Sequence, residues 1–403
     1  MEAARSQEAT MFTRPADPTP HARAGAEALK RGDFAGAKAG FGQAVAMGAN
    51  DLGIWLGLAY GCRGVGDASG MVAALDKVLA LDPRNVRALI LKGDHFGGQG
   101  DHKAATSFYN NALRAAPPAA QLPPDLVAEL RRVQAATQDY ARRFEAHLLS
   151  SLEQAGFGAD MGGGRFGRSL DILFGRRQVY YQQPQAYLFP ELPQVQFYDR
   201  AAFPWLERLE AQTDAIRQEL LAVMQGPEAF QPYLEASANR AQVDRSGLRG
   251  NPDWSAFYLW KNGVPQTENI ARCPATAAAM DGIPLTGIRG RAPSVLFSLL
   301  KPGTHIPAHT GFVNTRLICH LPLIVPGQCR FRVGNETREW QEGQAWVFDD
   351  TVEHEAWNDS GETRVVLLFD VWRPELTQAE REMVAAMLTA IDEYGAGSGE
   401  WGA

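Results

Sequence analysis

Residues 294–374 read SVLFSLLKPGTHIPAHTGFVNTRLICHLPLIVPGQCRFRVGNETREWQEGQAWVFDDTVEHEAWNDSGETRVVLLFDVWRP. Apolar side chains recur with a period of two, and the breaks carry turn chemistry: Pro302-Gly303, Pro326-Gly327, Gly334-Asn335, Glu342-Gly343 and Asp359-Ser360-Gly361. Alternation sends successive side chains to opposite faces, while Gly, Pro, Asn and Asp interrupt a ladder. The pattern predicts strands over 294–301, 316–323, 329–333, 336–340, 345–349, 353–358 and 364–372. Short strands at such spacing imply a sandwich or jelly roll. Pro302–Pro307 reads as turn-rich chain crossing the mouth of that roll. Beyond Pro374 a helix is expected from Thr377, with Glu380 completing a capping box and Val384, Met387, Leu388 and Ile391 on its packed face.

Upstream the period changes. Gly32-Asp33, Gly66-Asp67 and Gly100-Asp101 recur at a constant interval, with Phe41, Leu75 and Tyr109, then Ala44, Val78 and Ala112, at matching places. Asp82-Pro83 and Ala116-Pro117 stand where one helical hairpin hands over to the next. A period of about 34 residues built of paired amphipathic helices resembles tetratricopeptide repeats, whose stacking leaves a concave groove. That groove either binds a protein or peptide or packs on the following domain. Leu126–Leu152 reads as one or two more helices, and Tyr180–Pro193 as an extended segment lying across a surface. Pro204–Met224 is helical by period, Asp253–Trp260 a strand and Thr276–Met280 a short helix. The expected architecture is multidomain, α plus all-β: a disordered 1–20, a helical repeat domain over 21–155, a glycine-rich hinge at 156–168 too flexible for regular structure, and a jelly-roll domain over 169–403 with its core at 290–375.

Composition narrows the functional classes. The chain of 403 residues carries a net charge of -7 and has no basic stretch, which argues against nucleic acid or an anionic membrane surface as partner. No apolar run approaches the ~20 residues of a membrane span. The first residues are charged and lack the apolar core of a secretory signal. Cys62, Cys273, Cys319 and Cys329 are scattered, without C-x-x-C spacing, so a reducing compartment is expected and cytoplasmic placement follows.

The chemistry lies in the jelly roll. His309 and His354 are followed by Arg364, the order required of a non-haem iron(II) site that uses a 2-oxo acid: two imidazoles for the metal and a guanidinium fork for the far carboxylate. Gly311 stands where most such sites carry an Asp or Glu. Glu353 and Glu355 flank His354 but should point to the opposite face of the strand. Arg364 opens an apolar strand and needs an anion. Asp370, six residues on, would be about 20 Å away at ~3.3 Å per residue, so a bound carboxylate is the better partner, with the Ser298 hydroxyl from a neighbouring strand.

Pro302-Gly303-Thr304-His305, His309-Thr310-Gly311, Arg316-Leu317-Ile318-Cys319-His320, Asn335-Glu336-Thr337-Arg338, Phe348-Asp349-Asp350, Glu353-His354-Glu355-Ala356-Trp357 and Asp370-Val371-Trp372-Arg373-Pro374 occur in this order. Together they resemble the aspartyl/asparaginyl β-hydroxylase family, iron(II)- and 2-oxoglutarate-dependent oxygenases whose founding animal members carry tetratricopeptide repeats ahead of the hydroxylase domain. The resemblance implies a double-stranded β-helix, cupin-like, with flanking helices. It implies that His309 and His354 hold iron, that Gly311 matches a carboxylate the family also lacks, and that Arg364 and Ser298 hold the distal carboxylate of 2-oxoglutarate. It further implies His320 near the other end of the co-substrate, with Trp254, Arg316 and Asp350 on the substrate side. One departure stands out: Ile318 occupies the place of a second arginine. The expected activity is hydroxylation, with O2, of an Asp or Asn residue in a protein or peptide presented by the repeats. The alternatives are the same chemistry on a lipid acyl chain or small molecule, and a non-catalytic repeat scaffold with a vestigial jelly roll. The oligomeric state is open at this stage.

Overall fold

The computed structural model describes residues 17–158, 164–226, 230–233 and 250–394, which divide into two units at Leu170/Asp171. Most of the segment expected to be disordered (1–16) and part of the expected hinge (159–163) lie outside the described residues.

The first unit is a run of helical hairpins: α1 (Thr19–Lys30), α2 (Phe34–Ala46), α3 (Leu52–Gly64), α4 (Ala68–Leu81), α5 (Val86–Gly98) and α6 (His102–Ala115), followed by the long α7 (Pro124–Gln154). The recurring Gly-Asp pairs make the tight turn inside each hairpin. Gly32, Gly66 and Gly100 take φ of 75, 77 and 80°, a left-handed conformation that a Cβ would strain. Each following aspartate caps the next helix, Asp33, Asp67 and Asp101 accepting from the backbone N–H of Gly36, Gly70 and Ala104. Phe41, Leu75 and Tyr109 are buried at the helix crossings beside fully buried Ala44, Val78 and Ala112. Leu126–Leu152 falls within one continuous helix. Two boundaries differ from expectation. Helix α1 begins at Thr19, whose N–H bonds the Asp17 carboxylate, inside the span read as disordered. Helix α8 (Arg165–Leu173) begins inside the span read as a hinge, because Gly167 and Leu170 give it a buried side despite the glycines around it.

The second unit carries two antiparallel sheets. The larger contains β1 (Gln231–Pro232), β2 (Trp254–Lys261), β3 (Val264–Pro265), β4 (Val295–Leu300), β6 (Arg316–Ile324), β9 (Trp346–Phe348) and β11 (Arg364–Trp372), in the order β1-β2-β4-β11-β6-β9 with β3 beside β2. The smaller contains β5 (Thr304–His309), β7 (Cys329–Val333), β8 (Glu336–Glu339) and β10 (His354–Asn358), in the order β5-β10-β7-β8. The large sheet is buried on both faces, which is why its central strands read as nearly continuous apolar runs. One face (Phe297, Leu317, Cys319, Leu321, Val365, Leu367, Phe369) packs with residues of α9 (Leu206–Glu210), α10 (Thr213–Met224) and α12 (Pro274–Ala279), the last of these following the short α11 (Thr267–Arg272). The other face (Trp254, Leu300, Ile318, Phe348, Val366) meets Ile306, Phe331, Val333 and Ala356 of the small sheet. The second of these layers is the interior of a jelly roll.

Three sequence expectations are corrected. Residues 304–309 form a strand, not a turn: Gly303 and Pro307 resemble breakers, but β5 is an edge strand, where a missing N–H costs no ladder bond. Pro204–Met224 is two helices, interrupted at Ala211-Gln212. The short helix lies at Pro274–Ala279, because the Glu219 carboxylate caps its first turn through the N–H groups of Ala275 and Thr276. The last helix, α13 (Gln378–Tyr394), starts with the expected reciprocal box: Thr377 donates to Glu380 and receives its backbone N–H. Val384 and Leu388 are buried against Ile288, Ala292, Trp372 and Leu376, while Ile391 is exposed.

The capping turns make a direct test. Asp67→Ala removes a cap bond to Gly70 and should lower the stability of the repeat unit by about 1 kcal/mol, read by urea unfolding of the full chain followed by helical circular dichroism.

Candidate functional site

The period of two brings the sequence-predicted residues onto one face. On β11, Val365, Leu367 and Phe369 point to the helices, so Arg364, Val366 and Asp370 face the interior. By the same alternation Arg316, Ile318 and His320 of β6 and Ser298 of β4 share that face. Pairing aligns them: Val366 lies opposite Ser298, Leu368 opposite His320, and Asp370 opposite Ile318.

The two histidines come from adjacent strands of the small sheet. His309 ends β5, His354 begins β10, and the pair are direct partners in the ladder with ring centroids 4.1 Å apart. Each Nδ1 lies against a backbone carbonyl two residues upstream, 2.8 Å to Pro307 O and 3.1 Å to Val352 O. A carbonyl only accepts, so Nδ1 carries the proton and each Nε2 keeps its lone pair for a metal. Glu353 and Glu355 are turned away and held by Arg332. Among the described residues no group of three or more His, Cys, Asp or Glu side chains is gathered to hold a metal. A Cβ on Gly311 would fall 2.1 Å from Asp350 Oδ2. Glycine is thus needed there because the Asp350 carboxylate already fills the space beside the histidine loop.

Arg364 is buried in the interior. Its guanidinium lies over the Trp340 ring at 4.6 Å, makes one long bond of 3.4 Å to Ser298 O, and leaves Nε without a partner. No carboxylate among the described residues pairs with it, and burial lowers its pKa to about 10. A buried cation without a counter-ion is strongly unfavourable, so this pocket is built for an anion. The carboxylate of a 2-oxo acid fits that requirement, with the Ser298 hydroxyl next to it. Trp254, expected on the substrate side, donates its indole N–H to Ser298 Oγ at 3.3 Å and stands 6.5 Å from the His309 ring, linking the two halves of the site. His320 is enclosed by Phe331, Phe348 and Trp340, with Nδ1 unpartnered.

Arg316 pairs with Asp350 at 3.2 Å and approaches Asp370 at 3.9 Å. Asp370 therefore belongs to Arg316 and not to Arg364, as the strand arithmetic required. Burial, opposed by Arg316, raises the Asp350 carboxyl to about 6. Trp340 escaped the sequence reading, as did Asn314, Asp349 and Arg373. Asp349 and Arg373 stand in quoted motifs, but nothing local to either reveals its partners.

Burial holds His354 and His320 well below the ordinary imidazole value of 6.5, with the neighbouring His309 adding for the first and the Arg364 charge for the second. His309 is also lowered, but its side chain is exposed, so the pH argument rests on the other two. Below pH about 6.5 the unfolded chain takes up protons that the folded site refuses, so stability falls as pH drops. Asp350 acts in the opposite sense, since the folded state takes up its proton as pH falls through about 6. The melting temperature of metal-free protein should therefore fall less between about pH 7.5 and about pH 5.5 in His320→Phe than in the parent. Identical slopes in a thermal scan would contradict the assignment of a buried neutral His320.

A family model described as aspartyl/asparaginyl β-hydroxylase matches residues 210–374. The ornithine lipid ester-linked acyl 2-hydroxylase of Rhizobium tropici is 39% identical over 197 residues, covering 48% of this chain and 66% of that protein. The human aspartyl/asparaginyl β-hydroxylase is 36% identical over 184 residues, covering 45% of this chain and 23% of that one. Human aspartate β-hydroxylase domain-containing protein 2 is 30% identical over 207 residues, covering 50% and 53%. The chain thus spans less than two thirds of the length of each of these relatives.

Proposed function

Through residues 210–374 the chain belongs to the aspartyl/asparaginyl β-hydroxylase family, and on that premise we propose that it is an iron(II)- and 2-oxoglutarate-dependent dioxygenase acting in the cytoplasm. The observation that carries this reading is the buried Arg364 guanidinium, without a carboxylate partner among the described residues, in the same jelly-roll interior as the His309–His354 pair, whose Nε2 atoms are left free of the backbone bonds that hold Nδ1. His309 and His354 would hold iron, and Arg364 with Ser298 the distal carboxylate of 2-oxoglutarate. The chemistry supplied by bound iron and 2-oxoglutarate would be oxygen activation for C–H hydroxylation, with succinate and CO2 as the co-products. The chain itself orients and excludes water. Trp340 lies under the guanidinium, Trp254 donates to the Ser298 hydroxyl, and Phe331 and Phe348 enclose the His354 imidazole.

For the substrate, an Asp or Asn residue of a protein or peptide, presented by the repeats, is the first reading. A lipid acyl chain is the second, and two observations favour it. Ile318 lies in the apolar interior layer where a second arginine was expected. Arg316 already faces the carboxylates of Asp350 and Asp370, so it has little charge to offer an acidic side chain.

Anaerobic titration with iron(II) and 2-oxoglutarate should produce a metal-to-ligand charge-transfer band in the parent protein. In Arg364→Ala the 2-oxoglutarate needed for that band should rise roughly 10- to 100-fold, the scale of a lost charged hydrogen bond. His309→Ala and His354→Ala should abolish turnover. No band from well-folded parent protein would leave the scaffold reading. Succinate release stimulated by an acyl lipid, or by an Asp-containing peptide, then separates the two substrate classes.

A further inference from the structure

We infer that residues 178–198, which lie ahead of the segment matched by the family, form a strap that holds both histidine loops in position, locked by the buried Asp349–Arg373 pair. This rests on reading His309 and His354 as metal ligands. His309 is the last residue of an edge strand, so the chain beyond it has no further ladder to hold it. Beside one direct bond between the two loops, Gly311 N–H to Asp350 O at 2.7 Å, the strap supplies the rest. Three consecutive carbonyls after His309 accept from it: Thr310 O from Gln185 Nε2 at 2.5 Å, Gly311 O from the Gln185 backbone at 3.0 Å, and Phe312 O from Ala186 and Tyr187 at 2.9 and 3.1 Å. Three residues ahead of His354, Thr351 O accepts from Gln183 N at 2.8 Å. One extended segment therefore ties together two loops that are 40 residues apart in the chain, as the numbers 311 and 351 show.

The lock is a polar cluster in which Asn314, Asp349 and Arg373 are fully buried. Gln182 of the strap donates to Asp349 Oδ2 at 2.7 Å and accepts from Asn314 Nδ2 at 2.8 Å. Asn314 also receives the Phe189 N–H at 2.6 Å and donates to the Phe189 carbonyl at 2.8 Å. Arg373 bonds Asp349 at 3.1 Å, Asn314 O at 3.1 Å, Pro193 O at 2.7 Å, and the Tyr198 hydroxyl. Asp349 Oδ1 takes the Thr351 N–H and hydroxyl, at 3.0 and 2.6 Å, which shapes the turn leading to His354. A buried ion pair adds little net stability over apolar side chains of the same shape. What this one provides is geometry, since its partners come from the strap and from both histidine loops. These are positioning residues, acting through the backbone that carries the ligands.

The test is cobalt(II) titration of the full chain, followed by its ligand-field absorbance, in the parent, Gln185→Ala, Gln182→Leu and Tyr181→Ala. Tyr181 is an exposed strap residue and serves as the control. Loss of an outer-shell bond to ligand-bearing groups costs about 10- to 100-fold in metal affinity. Gln185→Ala and Gln182→Leu should each raise the cobalt Kd by about tenfold or more, while Tyr181→Ala leaves it unchanged. Arg373→Lys should weaken binding too, and its thermal scan reports whether it still folds. A merely structural role would lower the melting temperature and leave the Kd of the folded protein alone, which overturns the inference. If the parent itself binds no cobalt, the metal-site reading falls with it.

Discussion

Burial of the large sheet on both faces is the constraint from which the rest of the second unit follows. A strand such as β11 then has no solvent face, so each residue is apolar or must find a polar partner inside the protein. Its odd-numbered positions 365, 367 and 369 meet helices, and that packing sets the orientation of every even-numbered one. Asp370 is answered by Arg316 and by the Ser294 N–H, and Arg373, just past the strand end, by Asp349. Arg364 alone among these charges has no carboxylate among the described residues. Its isolation acquires meaning because its neighbours are satisfied.

The same logic separates charges that build the site from charges that would use it. Arg316 with its two carboxylates is internally neutralised in part, and it braces the wall behind Gly311 through Asp350. Arg364 lies over Trp340, makes one long bond to a backbone carbonyl and leaves its Nε without a partner. Both arginines are buried. They differ in partners, and partners decide chemistry.

The repeat unit follows a different physical plan. Its core is assembled from contacts between successive helices, and its turns repeat one device, a left-handed glycine followed by a capping aspartate. That device is local in sequence, which is why its spacing alone predicted the hairpins. The second unit depends on pairings between distant strands and shows the opposite behaviour at its edges: 304–309 looked like a turn because local residue types suggest breakers, and a neighbouring strand overrode them.

Period, spacing and residue type are local properties, and they carried much of the way. Alternation turned Glu353 and Glu355 away from His354, and the order His309, His354, Arg364 pointed to the chemistry. The Gly-Asp interval likewise disclosed the helical hairpins. Only the tertiary structure could decide partners. That Asp350 fills the space above Gly311, that Trp340 carries Arg364, and that Gln182 meets Asp349 depend on chain segments 39, 24 and 167 residues apart, as their numbers show. Such contacts leave no trace in the local pattern, because a buried hydrogen bond constrains distance in space and leaves separation along the chain free.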